Sequence, residues 1–166
     1  MFSSKNKIKI NELAELLYIT TIDSKYINNI IEKLKNEVNS LDSTRVYREL
    51  IVLRIIIVSN LIRSDKLFKL GYEKKIRLYL EYLKHFEEVE KEIKGDDSLI
   101  DLVKSRMKKY NPSIERDNIY CVLDIAPAFA DFCGANGYEA FVKKIKTFYL
   151  NDTLAFAELL RKYKLT

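Results

Sequence analysis

Apolar side chains dominate residues 45–63, RVYRELIVLRIIIVSNLIR. Two apolar runs, 50–53 and 55–58, are separated only by Arg54. On a helical wheel, with 100° between successive residues, the other charged and amide side chains lie within about 60° of one line that runs along the helix. Most of the remaining helix surface is formed by Leu, Ile and Val. Such a helix is usually buried between neighbours, and the stretch is too long for a strand, although Ile and Val also suit strands. We therefore predict that residues 45–63 form the buried central helix of an all-helical domain.

Arg54 points about 180° away from that polar line, so we expect it in the core. An unpaired guanidinium is very costly in an apolar interior, which predicts either an acidic partner or a side chain that reaches the edge of the core. Asp124 and Asp131 are the candidates for a buried ion pair, because they share one stripe of a later predicted helix. Apolar residues on both sides of Asp124 favour it. A binding or catalytic role for Arg54 with either aspartate is the alternative.

The other helices are predicted from apolar positions at helical spacing and from capping residues. They lie at about 11–19, 25–39, 72–94, 99–109, 114–133 and 138–150, and a last helix begins at Asn151 or Asp152. The fold is thus predicted as all-α, a single compact bundle of about seven helices spanning 1–166, with residues 1–9 frayed.

The helix predicted at 114–133 packs with the central helix in the core of this bundle. It starts just after Pro112, because proline suits the first turn of a helix. Small residues would allow another helix to approach it closely, and Pro127 should kink or split it by removing one backbone hydrogen bond.

The helix predicted at 72–94 carries a heptad-like apolar seam, interrupted by Glu90. The seam consists of Tyr72, Ile76, Tyr79, Leu83, Phe86 and Ile93. A long bundle helix explains this spacing, so we predict that Tyr72 and Tyr79, like Tyr138 elsewhere, face the core.

The composition agrees with an ordinary helical domain. With 48% hydrophobic and 32% charged residues the chain is globular, and only 4 glycines and 2 prolines argue against many β-turns. No apolar run approaches the length of a membrane span, and no signal-peptide pattern is visible, so we expect a soluble, cytoplasmic protein. Cys121 and Cys133 would lie about 18 Å apart on one helix, beyond disulfide reach, and are predicted to be reduced and buried.

The sequence contains few groups of residues that could form a catalytic or metal-binding site. His85 is the one histidine, so a catalytic triad or a histidine-based zinc site is not expected. The glycine-rich loops that bind phosphates and the C-x-x-C pattern are missing from the sequence. We predict no cofactor, no metal and no catalytic residue.

A basic segment supplies an alternative based on nucleic acid. The formal net charge is +5, and the densest cationic segment away from a helix C-terminus contains Lys66, Lys69, Lys74, Lys75 and Arg77. Eleven tyrosines could include some that stack on bases. Nucleic-acid binding through 66–77 is therefore a second functional hypothesis.

One stretch resembles a known family. FADFCGANGYEAFVKKIKTFYLNDTLAFAELL is similar to the last three helices of poxviral Bcl-2-like proteins, although Pro127 departs from that pattern. The resemblance implies a small helical intracellular inhibitor that binds host signalling or death proteins.

Well-specified helices without reactive groups favour a protein that acts by contact. The leading hypothesis is a non-enzymatic intracellular interaction module of the inhibitor, immunity or adaptor type. Its partner would be another protein, whose identity the sequence does not give.

Overall fold

The computed structural model describes residues 6–64, 70–92, 98–114 and 121–166. Within these ranges the chain forms seven helices: α1 (Ile10–Thr21), α2 (Ser24–Lys35), α3 (Ser43–Arg63), α4 (Tyr72–Glu92), α5 (Leu99–Ile114), α6 (Cys121–Phe132) and α7 (Glu139–Lys162). Two three-residue strands, β1 (Asn6–Ile8) and β2 (Tyr163–Leu165), flank them in sequence. The all-α class and the helical bundle are confirmed.

The predicted central helix is α3. Its side chains from 52 to 59 are all buried, as is Leu50, whereas Ile51 is half-buried. The Asp42 carboxylate caps its start by accepting hydrogen bonds from the backbone N–H groups of Thr44 and Arg45. Helices α1, α2, α4, α5 and α7 all contact α3. A helix covered on every side can be apolar on nearly every side, which explains the sequence of this segment.

The two ends of the described chain pair with each other. Strands β1 and β2 are parallel, with Asn6 opposite Tyr163 and Ile8 opposite Leu165. The prediction that residues 1–9 fray is therefore wrong for 6–8. Parallel pairing joins segments that are far apart in sequence, so no local pattern announces it.

Several predicted helix ends differ from the observed ones. Helix α5 continues through Pro112 to Ile114, at the expense of one backbone hydrogen bond, so Pro112 does not precede a new helix as predicted. Residues 115–120, where the next helix was predicted to start, lie outside the described ranges, and α6 is described from Cys121. Helix α6 continues through Pro127 without a break. The segment that resembles the poxviral proteins forms the end of α6 and most of α7, which is two helices rather than three.

The last two predicted helices are in fact one. Helix α7 continues past Asn151 and Asp152, which were predicted as caps, because the apolar spacing is maintained on both sides of them. Phe141, Ile145 and Phe148 precede these residues on the buried face, and Phe156 follows them. Asp152 therefore lies on the apolar face of a long helix, and its side chain is buried in the bundle.

Candidate functional site

Arg54 is buried in an ion pair, but not with either predicted partner. Its side chain is 4% exposed, and its Nε lies 2.8 Å from Oδ2 of Asp152, which is 2% exposed. Asp124 and Asp131 both have exposed side chains on α6. The predicted pairing with those two aspartates is wrong, because the helix that presents a carboxylate to Arg54 is α7.

Other contacts of Arg54 connect several helices at one point. Its Nη1 donates a hydrogen bond of 3.0 Å to the carbonyl oxygen of Thr21, and its guanidinium carbon lies 4.8 Å from the centre of the Tyr26 ring. The Tyr26 hydroxyl donates a hydrogen bond to Asp152. We call Arg54, Asp152, Tyr26 and Thr21 the Arg54 node. It ties α1, α2, α3 and α7 together. Arg54, Asp152 and Thr21 are buried, and Tyr26 is half-buried.

Burial also sets the protonation chemistry of the Arg54 node. Desolvation raises the pKa of the Asp152 carboxyl, and the nearby Arg54 charge and the Tyr26 hydrogen bond oppose that rise. Without the Arg54 guanidinium, the pKa of this carboxyl would rise further, because less would oppose the effect of desolvation. The node is therefore a structural element whose charged members depend on each other.

A second ion pair holds the other half of α3. Arg106 of α5 donates from Nε to Glu49 Oε2 over 3.0 Å and from Nη2 to Oε1 over 2.7 Å. The guanidinium carbon lies 3.7 Å from the centre of the Phe132 ring of α6. We call these three residues the Glu49 node. Two parallel hydrogen bonds make the pairing geometrically specific, so the node fixes α3 against α5 and α6.

The residues of these nodes carried a weak signal in the sequence. Continuing the spacing Ile145, Phe148 across Asp152 to Phe156 would have placed a carboxylate on an apolar face, as its counterpart Arg54 lies on one. Asp is also a preferred N-cap residue, and that preference favoured the wrong interpretation. Arg106 gave no such signal, because cations near a helix end are already explained by the helix dipole.

Buried phenols predict instability at alkaline pH. Burial, with a further contribution from Asp152, raises the pKa of Tyr26 from 10.0 to about 12, and burial raises the pKa of Tyr82 and Tyr110 well above the usual value. A phenol that stays protonated in the fold ionises near pH 10 once the chain unfolds, so the unfolded chain binds fewer protons. The free energy of unfolding should therefore fall as pH rises from about 10 through 12.

Urea unfolding at a series of alkaline pH values would check this expectation. Tyr82→Phe should make the pH dependence shallower, and Tyr72→Phe is the control because that ring is exposed. Full appearance of phenolate absorbance near pH 10 in a chain that is still folded would contradict it.

Helix α4 has two adjacent apolar faces, and the structure covers only one of them. Leu78, Tyr82 and Phe86 are buried, mainly against α1, where the Thr21 hydroxyl lies 2.9 Å from the Tyr82 hydroxyl. The second face is exposed: Tyr72 is 78%, Ile76 38% and Leu80 58% accessible.

We call Tyr72, Ile76 and Leu80 the α4 outer face. The prediction that Tyr72 faces the core is wrong, and so is that for Tyr138, which is exposed. Ile76, another member of the seam, is exposed as well. Tyr79 and Leu83 lie between the two faces and are half-buried. The heptad spacing is real, but α1 packs on the neighbouring stripe of α4.

A cavity of about 440 Å³ opens beside the α4 outer face. It is lined by Arg63, Tyr72, Lys75, Ile76 and Tyr79, and we call it the α3–α4 cavity. Arg63 belongs to the last turn of α3 and is exposed, whereas Lys75 is only 6% accessible. Among the described residues, two cations, two phenol rings and one aliphatic side chain thus line this cavity.

The predicted nucleic-acid residues do not form one surface among the described residues. Lys66 and Lys69 lie outside the described ranges. Lys74 is exposed, with its Nζ 3.4 Å from the Leu165 carbonyl oxygen of β2, and Arg77 is exposed about 160° around α4 from Lys75. Of the three described members, Lys74, Lys75 and Arg77, only Lys75 lines the α3–α4 cavity, where Arg63, absent from the prediction, accompanies it.

The remaining candidate groups are accounted for by packing. His85 is half-buried and stacks on Tyr18, with ring centres 5.2 Å apart. Cys133 is a free, buried thiol whose pKa is raised by burial, and the side chain of Cys121 is outside the described part. In the described ranges no group of three or more His, Cys, Asp or Glu side chains could hold a metal. No helix there is both long and apolar enough to cross a membrane.

Comparison with known proteins leaves the chain without a family assignment. No protein-family model, curated protein or solved structure matches it. The resemblance to poxviral Bcl-2-like proteins stays a prediction.

Proposed function

We propose that this chain is a non-enzymatic protein-interaction module that binds its partner through the α4 outer face. The observation that carries the proposal is the exposure of three large apolar side chains, Tyr72, Ile76 and Leu80, at intervals of four residues on one helix. Residues at this spacing lie on one side of a helix, which is how helices dock into partner proteins.

The width of the apolar surface on α4 supports the proposal. At about 100° per residue, Leu78, Tyr82, Phe86, Tyr72, Ile76 and Leu80 together span about 200° of the helix. A surface helix needs an apolar stripe of about 100° to pack on its own domain, and contact with α1 and the other neighbours uses that much. The remaining apolar arc of about 100° on α4 is the surface that a contact with a partner protein would bury.

The buried charges support a non-enzymatic role. Arg54 and Asp152 contact each other inside the bundle, and Glu49 and Arg106 form a bidentate pair between helices. Of the three side chains that define the α4 outer face, the Tyr72 phenol is the titratable one. Binding through this face would be driven by burial of apolar surface, which contributes a free energy of about 25 cal/mol per Å².

The test compares partner capture by variants of the full chain. In an extract of the native host, the chain carrying Ile76→Asp and Leu80→Asp should lose at least about tenfold of a partner that the wild type retains, because charges cannot be buried in an apolar contact. The matched control is Leu150→Asp with Leu154→Asp, which places two aspartates at the same spacing on exposed positions of α7.

Quantitative mass spectrometry of the captured proteins gives the readout, and thermal melting shows that each variant is folded. A protein lost from the α4 variant and retained by the α7 variant supports the proposal. Retention of every captured protein by the α4 variant, or an equal loss with the α7 variant, refutes it. A host signalling or death protein as partner would favour the resemblance to poxviral inhibitors.

The α3–α4 cavity supports nucleic-acid binding as a second candidate function. Tyr72 and Tyr79 line it together with Arg63 and Lys75, which is the combination of stacking rings and cations that single strands use. A mobility-shift titration with a single-stranded oligonucleotide at low and moderate salt tests this candidate. Absence of binding at low salt removes it, because phosphate contacts are strongest there.

A further inference from the structure

We propose that Asn136 is a modification site, at which the chain deamidates spontaneously and forms isoaspartate. Asn136 and Gly137 form the tip of a turn between α6 and α7, which we call the α6–α7 turn (135–138). They are the one Asn-Gly pair in the sequence. The proposal goes beyond the proposed function and is independent of it, because this turn shares no residue with α4.

Hydrogen bonds hold the α6–α7 turn at both ends. Helix α6 ends in a Schellman arrangement, in which the Ala135 N–H donates to the Ala130 carbonyl oxygen over 2.8 Å. The Tyr138 N–H donates to the Ala135 carbonyl oxygen over 3.3 Å, which closes the turn just before α7. Gly137 has a φ of 85°, which suits the third position of a type II turn and is favourable only for glycine.

The two reacting groups are open to solvent at the tip of this turn. Both Asn136 and Gly137 are exposed. In the described part of the chain the Gly137 N–H donates no backbone hydrogen bond, and the Asn136 side chain has no hydrogen-bond partner. A group that is neither buried nor hydrogen-bonded can change its orientation without breaking a native contact. The fold therefore leaves this pair of residues able to react.

Ring closure is the first step of the reaction. The Gly137 backbone nitrogen attacks Cγ of Asn136, and a new C–N bond closes a five-membered succinimide. The bond from Cγ to the side-chain nitrogen breaks, and this nitrogen leaves as ammonia with the proton that the Gly137 N–H gives up. Gly137 favours the step because it has no Cβ to obstruct the approach and accepts the necessary backbone rotation.

Hydrolysis by solvent water is the second step. Water adds to one of the two carbonyl carbons of the succinimide and breaks its bond to the ring nitrogen. Opening at the side-chain carbonyl gives aspartate at position 136, and opening at the backbone carbonyl gives isoaspartate, whose main chain is longer by one methylene. Either product carries a carboxylate just before the N-terminus of α7, where the helix dipole favours negative charge.

Asn39 provides a comparison within the same chain. Like Asn136 it is exposed and lies in a turn, between α2 and α3, but Ser40 follows it. The Ser40 side chain hinders the approach of its own backbone nitrogen and restricts the backbone rotation. Asn39 should therefore deamidate at least about tenfold more slowly than Asn136.

The test follows the full, folded chain during incubation at neutral pH. Peptide mapping by mass spectrometry measures deamidation at each asparagine, and fragment spectra assign the modified position. Methyl transfer from S-adenosylmethionine by a protein isoaspartate methyltransferase measures isoaspartate independently. We expect deamidation to be fastest at Asn136 and the methyl-acceptor signal to grow with it.

Substitutions at the turn identify the reacting groups. Gly137→Ala should slow deamidation at Asn136 by at least about tenfold, because a Cβ then obstructs ring closure. Asn136→Gln keeps the glycine that the turn requires and should remove most of the methyl-acceptor signal, because the five-membered ring cannot form. Asn39→Gln is the matched control and should leave that signal unchanged. Thermal melting shows that each variant is folded.

Three results would overturn the proposal. These are no detectable deamidation at Asn136 in the folded chain, deamidation at Asn39 as fast as at Asn136, and an unchanged methyl-acceptor signal in folded Asn136→Gln. The last variant keeps the proposal falsifiable if Gly137→Ala does not fold. Partner capture is measured separately, so failure here leaves the proposed interaction face standing.

Discussion

Replacing Arg54 with leucine is expected to lower the free energy of unfolding by about 3–5 kcal/mol, because it leaves a buried carboxylate without its counter-charge. Asp152 would keep its burial and lose the group 2.8 Å away, and the carbonyl of Thr21 would lose its 3.0 Å hydrogen bond. Urea unfolding at neutral pH, followed by circular dichroism, measures the change. The loss is large relative to the total stability of a typical domain, which is about 5–15 kcal/mol.

Removing both charges separates the cost of an orphaned carboxylate from a simple packing defect. The double variant Arg54→Leu with Asp152→Leu should recover most of the lost stability, since apolar replacement of a buried pair is often neutral or favourable. Arg63→Leu, nine residues later on the same helix but exposed, is the control and should change stability little. A double variant as unstable as Arg54→Leu alone would contradict the charge-pair explanation.

The Glu49 node should respond asymmetrically to removal of its two charges. Arg106→Leu is expected to cost about 3 kcal/mol, because it strands a carboxylate whose side chain is only 6% exposed. Glu49→Leu should cost less, about 1–2 kcal/mol, because the Arg106 side chain is 18% exposed and its guanidinium can turn toward water. Urea unfolding of each variant measures the difference.

A surface ion pair on the same helix supplies the control. Lys104 lies 3.2 Å from Asp101, and both side chains are more than two-thirds exposed. Lys104→Leu should change the free energy of unfolding little, because solvent screens such pairs. Equal effects of Arg106→Leu and Glu49→Leu would show that burial of the carboxylate does not set the cost.

The two nodes bear on function through the rigidity of the scaffold. The Arg54 node connects α3 with α1, α2 and α7, and the Glu49 node connects α3 with α5 and α6. Helix α4 joins this frame through the Tyr82 hydroxyl, which is 2.9 Å from that of Thr21. The α4 outer face thus belongs to a helix held at its buried side, which would limit the conformational entropy lost in the proposed binding.

Local patterns were sufficient to predict the helices and the central position of α3. The apolar runs around Arg54 predicted a helix buried on most sides, and its predicted start at residue 45 lies two residues after the observed start at Ser43. The pattern also predicted that Arg54 either meets an acidic partner or reaches the edge of the core, and the first alternative is the observed one. These features follow from 3.6-residue periodicity and capping chemistry, which depend only on neighbours in sequence.

Tertiary structure alone decided which groups meet. The sequence pattern predicts a cap at Asn151 or Asp152, whereas the packing of α7 on α3 brings Asp152 to Arg54. The apolar surface of α4 is wide enough that either of two faces could pack on the bundle. Helix α1 packs on the face that contains Tyr82, so Tyr72 on the other face stays exposed. Strands β1 and β2 pair across almost the whole chain. Periodicity within one segment shows that a helix has an apolar face. Which helix packs on that face depends on the total energy of packing all the helices together, and the sequence of one segment does not determine that energy.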